Sequence, residues 1–452
     1  MTARGFERKN LIQTGVALAL GVLVYLVPIP GIPDPAKRCL AILAVASYLW
    51  VTEAVPLFAT AFLVVLAEAL LLSGPLKLGF QVFLAPFFDP VIMLFLGGFI
   101  LSQALAKYDL DGLLASAILR RTGAKPKNVL LGMMAVAAFL SMWMSNTAAT
   151  ALLVGLALTI IRRLDADDPF RVALILGIPF AANIGGVATP IGTPPNAIAI
   201  GILAERGIQV SFVRWMAIGL PVTAAIFLVL WRLLLRLFPA RAQSVALPPP
   251  GDTRLDARQW TIAAVFAATI LLWLTAEFHR LPSAVIAVIP AFVFTGLRIL
   301  DKEDFGRVGW DILILMGGGL SLGVAIRESG LTDWVLTLIR LGGVNPVLLT
   351  AALTVVAMVV TTFISNTSTA ALLLPLVAGL APDPVVPVLA VAIGVSVSMV
   401  LPVSTPPNAI AYGSGLVSVR TMARVGLILS AIALVIVVLG VVGLARLLDY
   451  AH

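Results

Sequence analysis

The stretch Thr193-Pro194-Pro195-Asn196-Ala197-Ile198-Ala199 returns letter for letter as Thr405-Pro406-Pro407-Asn408-Ala409-Ile410-Ala411. A shorter phrase does the same: Ser145-Asn146-Thr147 returns, in the same order along the chain, as Ser365-Asn366-Thr367. All four lie inside strongly apolar runs. Consecutive prolines remove two amides from a helix ladder and disfavour helical geometry just upstream. Non-helical backbone at membrane depth persists only where protein or an aqueous cavity satisfies it. The four breaks therefore read as one site assembled from the two halves of a membrane protein.

Composition supports the membrane reading. The 452 residues are 60% hydrophobic and 12% charged, with a mean hydropathy of +1.08, whereas a soluble protein carries about twice that charge. Apolar runs near the ~20 residues of a helical crossing recur from residue 11 to 446. The short alternating strands of an outer-membrane barrel are absent. Cys39 is the only cysteine, and His279 and His452 are the only histidines. That set excludes a disulfide, a thiolate metal cluster and HExxH-type intramembrane proteolysis. With no nucleophile–base pair visible, neither an enzyme nor an enzymatic cofactor is expected. The net charge of +8 reports loop orientation rather than a nucleic-acid partner.

Working outward, the basic N-terminal ten residues and the run 11–30, which lacks a small-residue cleavage site, predict a retained first helix with a cytoplasmic N-terminus. Gly31, Pro33, Pro35, Lys37 and Arg38 form a loop. Two helices fill 38–73 around a break at Glu53–Pro56. Asp89-Pro90 opens a helix, by side-chain capping and a proline in the first turn. An amphipathic surface helix covers about 108–121. At about 1.5 Å per residue the segment 127–163 is too long for one comfortable crossing, and it reads either as such a span or as a re-entrant hairpin with Ser145-Asn146-Thr147 at its tip. The span 170–206 is interrupted at 189–196, and a helix follows at 212–238. The polar stretch 239–258 is a linker. The second half then repeats the order: helices at 259–278 and 282–300, one opened by Trp310-Asp311, an amphipathic piece at 331–341, a hairpin at 345–380, a broken span at 384–416 and a last helix at 421–446.

The expected fold is an all-α polytopic membrane protein with about eleven transmembrane helices plus two re-entrant hairpins. Segments this count places in the cytoplasm hold the larger share of the 30 Lys and Arg, as the positive-inside rule requires. A repeat with an odd number of crossings meets its copy upside down, which makes this an inverted repeat.

The proline breaks leave carbonyls of Gly192, or of Val403 and Ser404, free to face a cation. Thr193 and Thr405 can cap the half-helices that resume, whose N-terminal amides favour an anion. The Ser-Asn-Thr tips can donate to a carboxylate or offer oxygen to a hard cation such as Na+. Ser141 lies four before Ser145, and Thr361 four before Ser365, a spacing that puts each pair on one helical face. No Lys or Arg falls in the four motifs, so bound cations and helix ends must supply the charge an anion needs. Singly, such motifs are packing glue or kinks; their paired recurrence favours a site. Glu68 reads as a proton relay, or as a residue that snorkels or pairs. Glu53, Asp89 and Asp311 read as caps or helix-end partners, and Gly97-Gly98 and Gly317-Gly318-Gly319 as close-packing positions.

With these duplicated motifs the chain resembles, over nearly its whole length, the divalent anion/sodium symporter family of INDY-like dicarboxylate transporters. The resemblance implies a homodimer in a bacterial inner membrane and an elevator-type mechanism. It implies scaffold segments at 1–126 and 259–344, transport-domain halves at 127–238 and 345–452, and a cytoplasmic linker at 239–258. One sodium site would use Ser141, Ser145, Asn146 and Gly192, the other Thr361, Ser365, Asn366 and Ser404. Substrate carboxylates would meet Asn146, Thr147, Asn366, Thr367, Thr405 and Pro406. Ser404 stands where a smaller residue is expected. The implied activity is sodium-coupled symport of a C4-type dicarboxylate such as succinate. A sodium-independent exchanger, a carrier of citrate, tartrate or sulfate, and an anion channel are the alternatives.

Overall fold

A computed structural model describes residues 8–245, 254–338 and 344–448. All the regular structure among them is helical. In chain order the longer helices are α1 (Arg8–Leu26), α2 (Asp34–Thr52), α3 (Leu57–Leu71), α4 (Pro90–Lys107), α5 (Leu110–Thr122), α6 (Pro126–Ser141), α7 (Asn146–Ile161), α8 (Phe170–Gly186), α9 (Pro194–Ala204) and α10 (Phe212–Leu237). The second half supplies α11 (Ala257–Leu274), α12 (Ser283–Gly296), α13 (Trp310–Glu328), α14 (Leu331–Leu338), α15 (Pro346–Thr361), α16 (Asn366–Leu380), α17 (Val385–Val397), α18 (Pro406–Gly413) and α19 (Val419–Leu447). Part of the predicted linker, at 246–253, and the end of the amphipathic piece, at 339–341, lie outside the described residues.

Five helical segments are long and apolar enough to cross a membrane by themselves: Gln81–Lys107, Phe212–Leu237, Ala257–Leu274, Trp310–Glu328 and Val419–Leu447. The hairpin arms and the parts of the broken spans are shorter, as are α3 and α12. Both hairpins are present, α6 with α7 and α15 with α16.

Three local readings change. Pro35, Lys37 and Arg38 belong to α2 rather than to a loop, because proline is tolerated in a first turn. The interruption of the first broken span is 187–193, not 189–196. Pro194 and Pro195 occupy the first two positions of α9, where the amides they lack would have been unpaired anyway. Ser141 and Ser145 do not share a helical face: α6 ends at Ser141 and α7 begins after Ser145. Thr361 and Ser365 flank the second tip in the same way.

Close packing at glycine assembles the bundle. A Cβ at Gly97 would sit 2.3 Å from the Ala287 carbonyl oxygen, which lets α4 lie directly on α12. On α13, a Cβ at Gly318 would meet Ala61 of α3 at 2.4 Å, and one at Gly319 would meet Ala371 of α16 at 2.7 Å. Helix α13 is thus clasped between α3 and the second hairpin. The two halves also interlock. The first broken helix α8 packs on α18, and α9 packs on α16. Glu68 on α3 is fully buried and pairs with Ser321 on α13, so it does not snorkel.

The chain leaving α10 is pinned to the first half. The Asp168 carboxylate accepts from the amides of Phe170 (2.9 Å), Ala242 (3.1 Å) and Arg241 (3.3 Å), while Val245 N donates to Ala124 O at 2.8 Å. Burial raises the proton affinity of Asp168, but these amides and the Arg241 charge outweigh it and hold the group below the usual carboxylate range.

Two outcomes follow from this packing. Gly318→Ala lowers stability by about 1–3 kcal/mol, the ordinary cost of overpacking, and adding Ala61→Gly recovers most of it, read by thermal unfolding in detergent. Because the folded Asp168 pKa is depressed, its anchor is fully present above the unfolded carboxylate pKa of about 4 and is lost as pH falls through the lower folded value. Exchange protection of the Arg241 and Ala242 amides should fall over that window in the natural protein. In Asp168→Asn it should already be reduced at neutral pH.

Candidate binding site

Each Ser-Asn-Thr tip starts a helix. Ser145 Oγ accepts from Ala148 N at 3.3 Å, and Ser365 Oγ from Ser368 N at 3.1 Å. Thr405 Oγ1 caps α18 by accepting from Asn408 N at 3.3 Å. Thr193 occupies the matching place before α9 with extended backbone, but its side chain makes no such bond, contrary to the sequence expectation. Four half-helix N-termini thereby border one space with their positive dipole ends, although α9 and α18 each begin with two prolines and have no amide to offer at those positions.

That space is a cavity of about 410 Å³. It is lined by all the predicted site residues except Ser141 and Thr361, which lie buried behind the tips. The facing wall comes from Pro56, Leu57 and Phe58 ahead of and within α3, Phe95 and Phe99 of α4, and Asp311 and Ile312 of α13. Among the described residues no Lys or Arg lines the cavity, and Asp311 is its one ionisable wall residue. Asp311 is not the cap of α13, a place held by Gly309; it lies at the helix end, in the first turn, and lines the cavity.

The interrupted backbone is held by the asparagines of the repeated motif, a role the sequence reading did not give them. Asn196 Nδ2 donates to the carbonyls of Gly186 (2.9 Å) and Thr189 (2.8 Å). Asn408 Nδ2 donates to those of Met399 (3.2 Å) and Leu401 (3.1 Å). Both side chains are fully buried. One amide closes each gap in the ladder, which is why the same letter recurs there.

Oxygens suited to a hard cation gather in the first half. A Cβ built at Gly186 would lie 2.7 Å from Asn146 Oδ1 and 2.9 Å from Gly192 O, so both oxygens border the same small space. Asn146 Oδ1 and Ser141 Oγ are buried without a hydrogen-bond partner. Buried oxygens left unpaired are costly, and a cation is one way to satisfy them.

The second half is built differently. Ser398 and Ser404 replace Gly186 and Gly192. Ser404 Oγ accepts from Leu401 N at 3.1 Å and donates to Thr362 O at 3.0 Å. Thr361 Oγ1 donates to Asn366 Oδ1 at 2.7 Å. Here the oxygens are paired with one another. The first half satisfies the corresponding hairpin carbonyl, Met142 O, with Thr189 Oγ1 at 2.5 Å. Ser404 therefore does in its half what Thr189 does in the other, which accounts for a side chain where a smaller residue was expected.

Asn183 is a further site residue that sequence reasoning missed. It lies in the last turn of α8, 1% exposed, and contacts Asn146, Thr405 and Asn408. Its only sequence signal is a polar residue in an otherwise apolar run, unmatched in the second copy, where Val395 stands.

A second polar cavity, of about 740 Å³, is lined by Asp89, Glu205, Arg214, Glu277 and Arg280. The two cavities meet across one residue step. Pro190 and Leu94 line this one, and Ile191 and Phe95 line the other. Ile191 seals against Gly98, where a Cβ would come within 3.2 Å of it.

Residues 47–395 match the family model described as citrate transporter. A sodium-dependent dicarboxylate transporter, SdcS, of Staphylococcus saprophyticus is 32% identical over 94% of this chain and 90% of its own length. The SdcS of Staphylococcus aureus strain MRSA252 is also 32% identical, over 96% and 92%. The chain belongs to the divalent anion/sodium symporter family. As a member of it, the protein is a multi-pass membrane transporter rather than an enzyme. Its fold is also similar to that of the Alcanivorax borkumensis YdaH transporter, with a TM-score of 0.56 at 14% identity over 93% of this chain and 99% of that one.

The paired hydroxyls carry the prediction for this cavity. Thr189→Val and Ser404→Ala each leave one partly buried hairpin carbonyl without its donor. Each should lower stability by about 1–3 kcal/mol, measured as thermal unfolding in detergent without added anion.

Proposed function

We propose that the protein is a secondary transporter that carries a C4-type dicarboxylate such as succinate together with sodium across a bacterial inner membrane. The observation that carries this reading is one cavity bordered by both copies of both motifs, with no basic side chain and one carboxylate in its wall. A dianion entering such a space needs positive charge from elsewhere. Helix N-termini contribute part, and cations bound beside the tips contribute the rest. Sodium is favoured because the available ligands are neutral oxygens, and because the relatives bear sodium-dependent dicarboxylate transporter in their names.

In this reading Ser141, Ser145, Asn146 and Gly192 take one sodium, and Thr361, Ser365, Asn366 and Ser404 a second. Asn146, Thr147, Asn366, Thr367, Thr405 and Pro406 meet the two carboxylates, one cluster at each end. Residues 127–238 and 345–452 form the moving unit. Residues 1–126 and 259–344 form the scaffold of a homodimer, with 239–258 as cytoplasmic linker. The halves are inverted repeats spanning about eleven crossings, and the N-terminus is cytoplasmic. Two cavities separated by a single residue step support alternating access: sliding the Pro190–Ile191 step past Leu94 and Phe95 by an elevator motion would exchange which cavity holds the site.

Purified protein in proteoliposomes tests this. An inward Na+ gradient should accelerate succinate uptake over an equal K+ gradient; equal rates would remove the coupling. Ser141→Ala should raise the Na+ concentration giving half-maximal uptake by about tenfold, the usual effect of losing one ligand or its support. The succinate KM at saturating Na+ should stay near the natural value.

A further inference from the structure

We propose that Asn183 is a positioning residue that links the two half-sites. It turns the Asn146 oxygen toward the cation space of the first half and leaves the Thr405 hydroxyl proton free for the anion in the second. The inference rests on the sodium–dicarboxylate reading above.

Donors and acceptors around Asn183 are fixed from the backbone outward, where there is no ambiguity. Carbonyls only accept. Asn408 must therefore present Nδ2 to Met399 O and Leu401 O, which leaves its Oδ1 facing Asn183. An oxygen there requires a donor, so Asn183 presents Nδ2, which reaches Asn408 Oδ1 at 3.5 Å and Thr405 Oγ1 at 3.1 Å. The Oδ1 of Asn183 then faces Asn146 and accepts from its Nδ2 at 3.3 Å. With its nitrogen so occupied, Asn146 has no choice but to direct Oδ1 the other way, into the space beside Gly186 and Gly192 O. The orientation of a proposed cation ligand is thus fixed by backbone in the opposite half of the protein, through two intervening amides.

Thr405 completes the logic. A hydroxyl oxygen has two acceptor positions and one proton. Thr405 Oγ1 accepts from Asn183 Nδ2 and from Asn408 N, which fills both positions. Its proton is left over, at a residue lining the cavity. The link exists once. Val395 takes the corresponding place in the second copy and is fully buried in α17. Valine is close to asparagine in volume, so packing alone does not call for an amide at 183.

Two full-length variants separate orientation from structure. Each is measured for the Na+ concentration that half-maximally raises thermal stability without substrate, and for succinate KM and kcat in proteoliposomes at saturating Na+. Asn183→Val removes all three contacts, to Asn146, Thr405 and Asn408, and should raise the Na+ midpoint and the KM by about tenfold each, in the range seen for lost orienting partners of a metal ligand. Asn183→Asp still accepts from Asn146 but cannot donate to Thr405, whose proton it captures instead, and it brings negative charge to the anion. It should leave the Na+ midpoint unchanged or lower it while raising KM by about tenfold or more. A natural KM in Asn183→Asp, or equal shifts of both readouts in Asn183→Asp, would overturn the proposal. If Asn183→Val does not fold, the split in Asn183→Asp decides alone. Natural protein that takes up no succinate under a Na+ gradient overturns the functional reading and this inference with it; natural uptake with an unsplit Asn183→Asp overturns the inference only.

Discussion

A chain that abandons the helix inside an apolar protein must still find partners for its backbone, and here buried asparagine amides supply them. Asn196 and Asn408 each bridge two carbonyls across an interruption. The prolines beside them do not force the break so much as restart the helix beyond it, at positions where a missing amide costs nothing. Once the two gaps are stable, the resumed helices α9 and α18 point their N-termini at the same cavity as α7 and α16.

The electrostatics of that cavity follow from what is left out of it. Arginine or lysine would bind a dianion strongly and unconditionally. Helix ends and neutral oxygens bind it weakly, and a wall carboxylate at Asp311 opposes it. In the function proposed above, affinity in such a site depends on cations that come and go, which is the condition a coupled carrier needs. A site that held its anion by fixed charge would have no reason to wait for sodium.

The two copies of the motif are alike in sequence and unlike in wiring. In the first, glycines at 186 and 192 bring two oxygens to the edge of one space, and the Ser141 hydroxyl is unpaired. In the second, serines at 398 and 404 take up the nearby carbonyls, and Thr361 bonds to Asn366. A cation entering the second half must compete with those internal bonds; one entering the first has fewer to displace. The phrases are shared by the two halves, and single-residue differences make the halves inequivalent.

The sequence by itself determined the membrane class, the order of the helices, the two hairpins and the identity of the tips, because apolar run length, proline and helix caps are local properties. Recurrence of rare polar phrases was enough to group the four breaks, which the structure brings to one cavity. What only the tertiary structure decided is how polar atoms pair. Nothing local distinguishes Asn183, four residues past a proline inside α8, from packing glue; its partners lie on α7 and α18. Whether Thr193 or Thr405 caps, whether Glu68 faces lipid or Ser321, and whether Asp311 caps a helix or walls a cavity all turned on neighbours distant in the chain. A hydrogen bond is directional and needs both ends in place, so its geometry is written by the fold.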